Sequence, residues 1–159
     1  IINLKTAALF SAATKTGACL AKSNEKEKNA LESYGKNIGL AFQIADDALD
    51  YYSKEIIFGK KIGKDFYEGK ITLPVILLFQ KTTSSEKNIL KEIFKKEERL
   101  EDDLSLTLSL IKKYNIIKEC YKKADHFINL ASNSLSVFND SEEKKILEKL
   151  TSFSLERNF

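Results

Sequence analysis

One apolar helical segment, residues 39–50 (GLAFQIADDALD), constrains the fold most because it carries three aspartates inside an otherwise apolar pattern. The residues that make the segment apolar on nearly all sides are Gly39, Leu40, Ala41, Phe42, Ile44, Ala45, Ala48 and Leu49. A helix that is apolar all round is typical of a protein interior. We therefore expect a buried helix whose aspartates, Asp46, Asp47 and Asp50, line an interior cavity.

The spacing of the three aspartates places them on one side of that helix. Residues three and four apart are neighbours, so Asp50 lies beside both Asp46 and Asp47. Two unit charges about 6 Å apart repel by roughly 3 kcal/mol at an effective dielectric near 20, so an opposing charge is needed. Carboxylates without a nearby His or Cys favour Mg²⁺, which commonly bridges carboxylates to substrate phosphates. A solvated acidic patch is the commoner meaning of adjacent aspartates, and the apolar flanks disfavour it here.

A segment rich in lysine follows, residues 59–70 (GKKIGKDFYEGK), called the lysine segment below. Its glycines predict an irregular loop, neither helix nor strand. Lysine ammonium groups suit diphosphate oxygens, and glycine lets the backbone approach a ligand closely. By itself such a loop is commonly plain surface. Its position between the acidic helix and the helix start at 72–74, with Thr72 as N-cap and an early proline, favours a ligand-binding loop.

Helical periodicity dominates the chain, and alternation typical of strands is absent, which predicts an all-α fold of about six or seven helices in one domain, residues 1–159. The predicted helices cover 3–21, 27–53, 73–82, 85–96 and 101–113. A later stripe recurs at steps of four and three, and it contains Tyr121, Ala124, Ile128, Ala131, Leu135 and Phe138. The sequence Asn139-Asp140-Ser141 predicts a turn and N-cap before a last amphipathic helix.

Two segments of the chain resemble a known family. The segments FQIADDALD and GKKIGKDFYEGKITLP are similar to the second aspartate-rich region of the trans-prenyltransferases, the all-helical isoprenyl diphosphate synthases. Long-chain bacterial polyprenyl (octaprenyl-type) synthases are the nearest match. Lys5-Thr6 resembles the family's lysine-threonine motif, and Leu155-Glu156-Arg157 is weakly similar near the end. The resemblance covers essentially the whole chain and implies the C-terminal portion of an antiparallel helical bundle.

The resemblance also implies roles for individual residues. Asp46, Asp47 and Asp50 would hold Mg²⁺ against an allylic diphosphate. The residues implied to bind the substrate are Lys5, Thr6, Phe42, Gln43, Lys60 and Lys70, and Lys60 counts with the aspartates as catalytic. Phe42 lies near the isoprene unit or the second substrate, or is an ordinary core aromatic. Lys61 and Lys64 have less defined roles, and Asp65 would orient a lysine or a metal-bound water.

The implied reaction is ionisation followed by condensation. Mg²⁺ and lysines stabilise the departing diphosphate, and the double bond of isopentenyl diphosphate attacks the allylic cation. No side-chain nucleophile is needed, in agreement with a chain that shows no Ser/His or Cys/His pattern. The single histidine, His126, is expected at the surface rather than as a base. Terpene cyclisation on the same helical fold is a further possibility that the lysine motifs disfavour.

Family members use two aspartate-rich regions, and this chain contains the second alone. The other acidic pair, Asp102-Asp103, opens a helix and is expected to oppose the helix dipole. The chain is therefore expected to be the C-terminal half of a synthase, inactive alone, forming a homodimer or pairing with a missing N-terminal half. The alternative is a non-catalytic remnant or subunit that binds metal-diphosphate or supports a synthase dimer.

Composition excludes several other classes of function. A net charge of +3 with interspersed lysines and glutamates argues against nucleic acid binding. No apolar run approaches the roughly 20 residues of a membrane span, and no signal peptide is evident. Cys19 and Cys120 match no metal motif and are expected to be reduced helix residues. These features predict a cytoplasmic protein.

Overall fold

The computed structural model describes residues 6–52 and 62–156, and all regular structure in these ranges is helical. The eight α-helices are α1 (Ala8–Leu20), α2 (Glu25–Leu49), α3 (Lys64–Tyr67), α4 (Leu73–Lys81), α5 (Ser84–Lys95), α6 (Glu101–Lys113), α7 (Ile116–Ser134) and α8 (Glu142–Glu156). A 3₁₀ turn, Leu135–Val137, follows α7. The all-α prediction is therefore confirmed.

The predicted helix boundaries lie within two residues of the observed ones except at two places, and the predicted start of the first helix at residue 3 lies outside the described residues. α2 ends at Leu49 rather than at 53, because the amides of Tyr51 and Tyr52 bond to carbonyls three residues back and close the helix in a tight turn. α3 lies within the lysine segment, so the prediction of a loop without helix is wrong at Lys64–Tyr67.

Two compact units make up the chain: one comprises Ile1–Ala45 and Lys122–Phe159, and the other comprises Asp46–Tyr121. The prediction of a single domain over 1–159 stays a prediction. No helix in the described part of the chain is both long and apolar enough to cross a bilayer.

The first unit is built on close contact between α1 and α2. A Cβ atom added at Gly39 would lie 2.6 Å from Ala7 Cα, and one added at Gly35 would lie 2.8 Å from the carbonyl carbon of Phe10. The two glycines are four apart and share one face of α2. The hydroxyl of Thr14 donates to the Leu31 carbonyl oxygen at 2.6 Å across the same interface. Only glycine permits this separation of the two helices.

The core of the first unit contains the later part of the predicted stripe, Ala131, Leu135 and Phe138. Tyr34, Ile38, Ala131 and Leu135 form a buried cluster, against which Leu31, Phe138 and Leu147 pack. The Tyr34 hydroxyl donates to the Leu147 carbonyl oxygen at 2.7 Å. The Ser141 hydroxyl accepts from Lys144 N at 3.1 Å, which confirms the predicted N-cap of α8.

The second unit has its own apolar core. Its buried hydrophobic residues include Phe66, Val75, Leu77, Leu78, Leu90, Ile93, Leu104, Leu110, Ile111, Ile116 and Cys120. The Phe66 and Phe94 rings pack edge to face at 5.5 Å, and α4 contacts α6. The burial of Phe66 attaches the short helix α3 to this core, since its ring is fully buried.

Two caps of the second unit show how side chains fix helix starts. Asp103 accepts from Leu100 N at 3.0 Å and pairs with Lys96 at 2.6 Å, so the expected capping role of the acids that open α6 is confirmed for Asp103. Thr72 occupies the N-cap position of α4, yet its side chain makes no capping hydrogen bond. Pro74 stands at the position whose N–H an N-cap side chain commonly accepts, and proline has none.

Candidate functional site

The three aspartates differ in exposure. Asp46 is exposed, Asp47 is 4% exposed, and Asp50 is partly buried. Adjacent residues on a helix point about 100° apart, so one of the two can be buried while the other faces solvent, as the exposures of Asp47 and Asp46 show. The expectation that all three line an interior cavity is therefore wrong for Asp46, whose carboxylate lies in solvent. Asp47 keeps the buried position that the apolar flanks predict.

Asp50 connects the acidic helix to the lysine segment. Its Oδ1 accepts from Lys64 N at 3.1 Å and its Oδ2 accepts from Asp65 N at 2.8 Å, while its carbonyl oxygen accepts from Gly63 N at 2.9 Å. The carboxylate thus caps α3 from fourteen residues away in sequence. Burial raises the pKa of the Asp50 carboxyl above its ordinary value, and the hydrogen bond from Asp65 opposes part of that rise.

Gly63 makes this connection possible. Its φ of 81° lies in the left-handed region, and an added Cβ would lie 2.8 Å from Leu104 Cδ2. A glycine is therefore required on both conformational and steric grounds. The sequence predicted close backbone approach at the glycines of this segment, and at Gly63 the approach is to the protein's own core.

The two described lysines of the segment, Lys64 and Lys70, already have carboxylate partners. Lys70 Nζ lies 2.9 Å from Asp65 Oδ1 and 2.5 Å from Glu68 Oε2. Hydrogen bonds to Glu68 and Asp65 raise the pKa of Lys70. Lys64 is exposed, and its Nζ lies 3.8 Å from Glu68 Oε1. The predicted orienting role of Asp65 toward a lysine agrees with this geometry, whereas the predicted contact of Lys70 with a diphosphate stays a prediction.

Thr6 and Gln43, both implied by the resemblance, are brought together. The Thr6 hydroxyl donates to Gln43 Oε1 at 2.5 Å, and Gln43 is 8% exposed. The Phe42 ring is partly buried and lies 5.9 Å from the ring of Phe10, which is itself 37% exposed, so both predicted roles of Phe42 stay predictions. Lys5, Lys60 and Lys61 lie outside the described residues, as does Arg157.

Arg99 is a residue that sequence reasoning missed. Its guanidinium donates from Nη2 to the Phe94 carbonyl at 2.8 Å and from Nη1 to the Tyr67 carbonyl at 3.5 Å. It also lies over the Phe66 and Phe94 rings, 5.9 Å and 5.4 Å from their centroids. It stands in a run of charged residues, KKEER, so nothing local distinguishes it from solvated surface.

The carboxylates at the end of α2 suit one mode of Mg²⁺ binding. Within the described ranges, no three or more side chains of His, Cys, Asp or Glu converge closely enough to hold an ion by themselves. Mg²⁺ rarely needs such a cage, because it commonly takes one or two carboxylates and completes its shell with water and phosphate. An exposed carboxylate at Asp46, one residue before a buried one, fits that mode. The bonds at Asp50 leave one lone pair on each oxygen for a metal.

The histidine and the two cysteines have the environments that the sequence predicts. His126 is exposed, which confirms its expected surface position. Cys19 is exposed, Cys120 is buried, and both are free thiols on helices, as expected for reduced cysteines.

The sequence of the chain matches a known family of proteins. The family model described as Polyprenyl synthetase matches residues 1–111. A short chain isoprenyl diphosphate synthase of Methanothermobacter thermautotrophicus is 35% identical over 158 residues, which cover 99% of this chain and 48% of that protein. The chain belongs to the polyprenyl synthetase family, and the sequence-based resemblance is confirmed.

Solved structures agree with this assignment. The crystal structure of a decaprenyl diphosphate synthase from Rhodobacter capsulatus matches with a TM-score of 0.91 at 34% identity, over 99% of this chain and 49% of that one. A polyprenyl synthase from Caulobacter crescentus CB15, complexed with calcium and isoprenyl diphosphate, matches with a TM-score of 0.91 at 35% identity, over 99% and 48%. The chain spans about half the length of these relatives.

Proposed function

We propose that the chain supplies the second aspartate-rich half-site of a prenyltransferase that condenses isopentenyl diphosphate with an allylic diphosphate. The observation that carries the proposal is the pair of hydrogen bonds from the backbone amides of Lys64 and Asp65 to the Asp50 carboxylate, which attaches the lysine segment to the end of the acid-bearing helix. The related Caulobacter protein was solved with calcium and isoprenyl diphosphate, which supports a divalent cation and a diphosphate at such a site. The named relatives include both short-chain and decaprenyl synthases, so the proposal specifies the reaction and no product length.

The metal in this proposal is Mg²⁺, held by Asp46 with Asp47 and Asp50. When bound, the ion neutralises charge that develops on a departing diphosphate. The chain's own contribution is placement: α2 fixes the carboxylates, and the capped lysine segment presents ammonium groups. Lys5, Lys60 and Lys70 would contact the diphosphate, and the Thr6–Gln43 pair and Phe42 would bound the substrate pocket. No protein nucleophile takes part, because charge stabilisation drives ionisation of the allylic carbon–oxygen bond.

We further propose that condensation requires a first aspartate-rich region, supplied in the same polypeptide or by a partner. Two leucines of α1, Leu9 and Leu20, are 71% and 80% exposed, an apolar surface that additional helices would bury. The purified 159-residue chain is expected to yield no product with isopentenyl and allylic diphosphates. Product formation by this chain alone would contradict the requirement.

Binding of a non-hydrolysable allylic diphosphate tests the half-site directly. Titration calorimetry with and without Mg²⁺ should show binding that depends on the ion. Asp46→Ala should weaken that binding by at least about tenfold, because a carboxylate ligand is lost. The exposed position of Asp46 makes the variant safe for folding.

Asp102→Ala is the matched control, since it removes an equally exposed aspartate from the first turn of α6. It should bind like the wild type. Equal affinity of the Asp46 variant and the wild type would reject the metal role of Asp46.

A further inference from the structure

Residues 62–70 of the lysine segment bond to the rest of the second unit at two points. In the middle of the segment, the Asp50 carboxylate accepts from the amides of Lys64 and Asp65. Near its end, the Arg99 guanidinium bonds the carbonyl of Tyr67, the last residue of α3. Between these points, the fully buried Phe66 ring packs against Phe94, whose own carbonyl also accepts from Arg99.

Arg99 makes contacts that few other side chains could combine. A planar guanidinium can stack on aromatic faces and donate along its edge at the same time, which a lysine ammonium cannot do. A Cβ added at Gly69, whose φ is 71°, would lie 3.1 Å from both terminal nitrogens of Arg99. The guanidinium is therefore in close contact with the backbone turn that leads to Lys70.

The partly buried position of Arg99 is also unfavourable in one respect, because one of its donors has no acceptor among the described residues. Arg99 Nε is buried and has no hydrogen-bond acceptor among the described residues. An unsatisfied buried donor is unfavourable and uncommon in native proteins. The turn that Arg99 supports is closed by bonds from Gly69 N to Phe66 O at 3.0 Å and from Lys70 N to Asp65 O at 2.9 Å.

We propose that Arg99 is a positioning residue that, together with Asp50, holds Lys64 and Lys70 in place for a diphosphate ligand. The inference rests on the proposed function, and it adds a residue far from the aspartates in sequence. Arg99 does not itself touch the ligand in this scheme; it acts through the backbone at Tyr67 and the ring of Phe66.

Two measurements on the full 159-residue chain test the proposal: hydrogen exchange of the amides in 64–70, and calorimetric binding of inorganic pyrophosphate with Mg²⁺. Arg99→Lys keeps the charge and loses the planar fork. We expect exchange in 64–70 to quicken and the Kd to rise by about tenfold, because ordering the backbone of one residue on binding costs roughly that factor.

Lys95→Ala is the matched control, because it removes an exposed cation whose contact is the surface pair with Glu92 at 2.8 Å. It should leave both measurements unchanged. Circular dichroism verifies that Arg99→Lys is folded; if it is not, Arg99→Met retains an apolar stem over the two rings and takes its place.

Faster exchange together with weaker pyrophosphate binding supports the proposal. Unchanged exchange overturns the restraint by Arg99, and faster exchange with an unchanged Kd overturns its role in placing the lysines. A wild-type chain that binds no pyrophosphate overturns the proposed function and the link to a ligand. Exchange in the same variants then still decides whether Arg99 restrains the turn, so the two failures are distinguishable.

Discussion

Replacing Gly39 by alanine should push α1 away from α2, at a cost in the free energy of unfolding that can be measured. The added Cβ would lie 2.6 Å from Ala7 Cα and 3.2 Å from both Ala7 N and Phe10 Cβ, well inside the normal carbon contact of about 3.5–4.0 Å. The nearest atom is backbone, so relief requires the whole helix to move. Overpacking of this kind costs about 1–3 kcal/mol, against a gain of about 1 kcal/mol in helix propensity.

Gly17 provides the control that isolates the steric part. It lies on the exposed side of α1, and an added Cβ would meet no atom within 4 Å. Gly17→Ala should therefore stabilise the protein by about 1 kcal/mol through propensity alone. The propensity gain cancels between the two variants, so the difference in their free energies of unfolding should equal the overpacking cost, about 1–3 kcal/mol.

Urea unfolding followed by far-UV circular dichroism measures this difference, with the slope against urea checked for constancy. The Thr6–Gln43 hydrogen bond crosses the same helix pair, so the Gly39 variant should also lose that contact. Equal free energies of unfolding for the two alanine variants would refute the claim that glycine sets the spacing of α1 and α2.

Two further predictions concern stability. Tyr34→Phe should cost about 1 kcal/mol in urea unfolding, because the buried hydroxyl donates to the Leu147 carbonyl at 2.7 Å, and an unchanged midpoint would contradict this. Hydrogen bonds from Lys113 and Tyr114 lower the pKa of Glu86 to about 2 from 4.5, so the folded state binds fewer protons and its extra stability, complete above pH 4.5, is lost as the pH falls toward 2. Glu86→Gln should flatten that part of the stability profile measured by thermal unfolding, and a profile that keeps the wild-type slope would argue against the assignment.

Much of the fold follows from local pattern. The starts of α4, α5 and α6 fall within one residue of the predicted positions, because proline, a capping box and an acidic first turn mark them. The close contact between α1 and α2 could also have been predicted from the sequence. Gly35 and Gly39 are four apart inside a long helical pattern, a spacing typical of closely packed helices. Gly39 was predicted only as one of the apolar residues of a buried helix, and its steric role was not predicted.

The parts that could not be predicted depend on tertiary contact. The existence of α3 requires a cap from Asp50, a residue fourteen positions earlier, and an aromatic ring that reaches the core. A four-residue helix has too few internal hydrogen bonds to form on propensity alone. The unequal exposure of Asp46 and Asp47 likewise depends on which side of α2 meets other helices, a fact that the acid spacing does not contain.

The ion pairs of Lys70 have a consequence for anion selection. An anion that approaches this ammonium is repelled by the carboxylates of Asp65 and Glu68, which lie 2.9 Å and 2.5 Å away and already offset its positive charge. Chloride or a singly charged phosphate ester is attracted too weakly to overcome this repulsion. A polyanion is attracted more strongly, and a cation bound to it can pair with the two carboxylates. Asp65 and Glu68 should therefore make this site selective for highly charged anionic ligands over the abundant small anions of the cell.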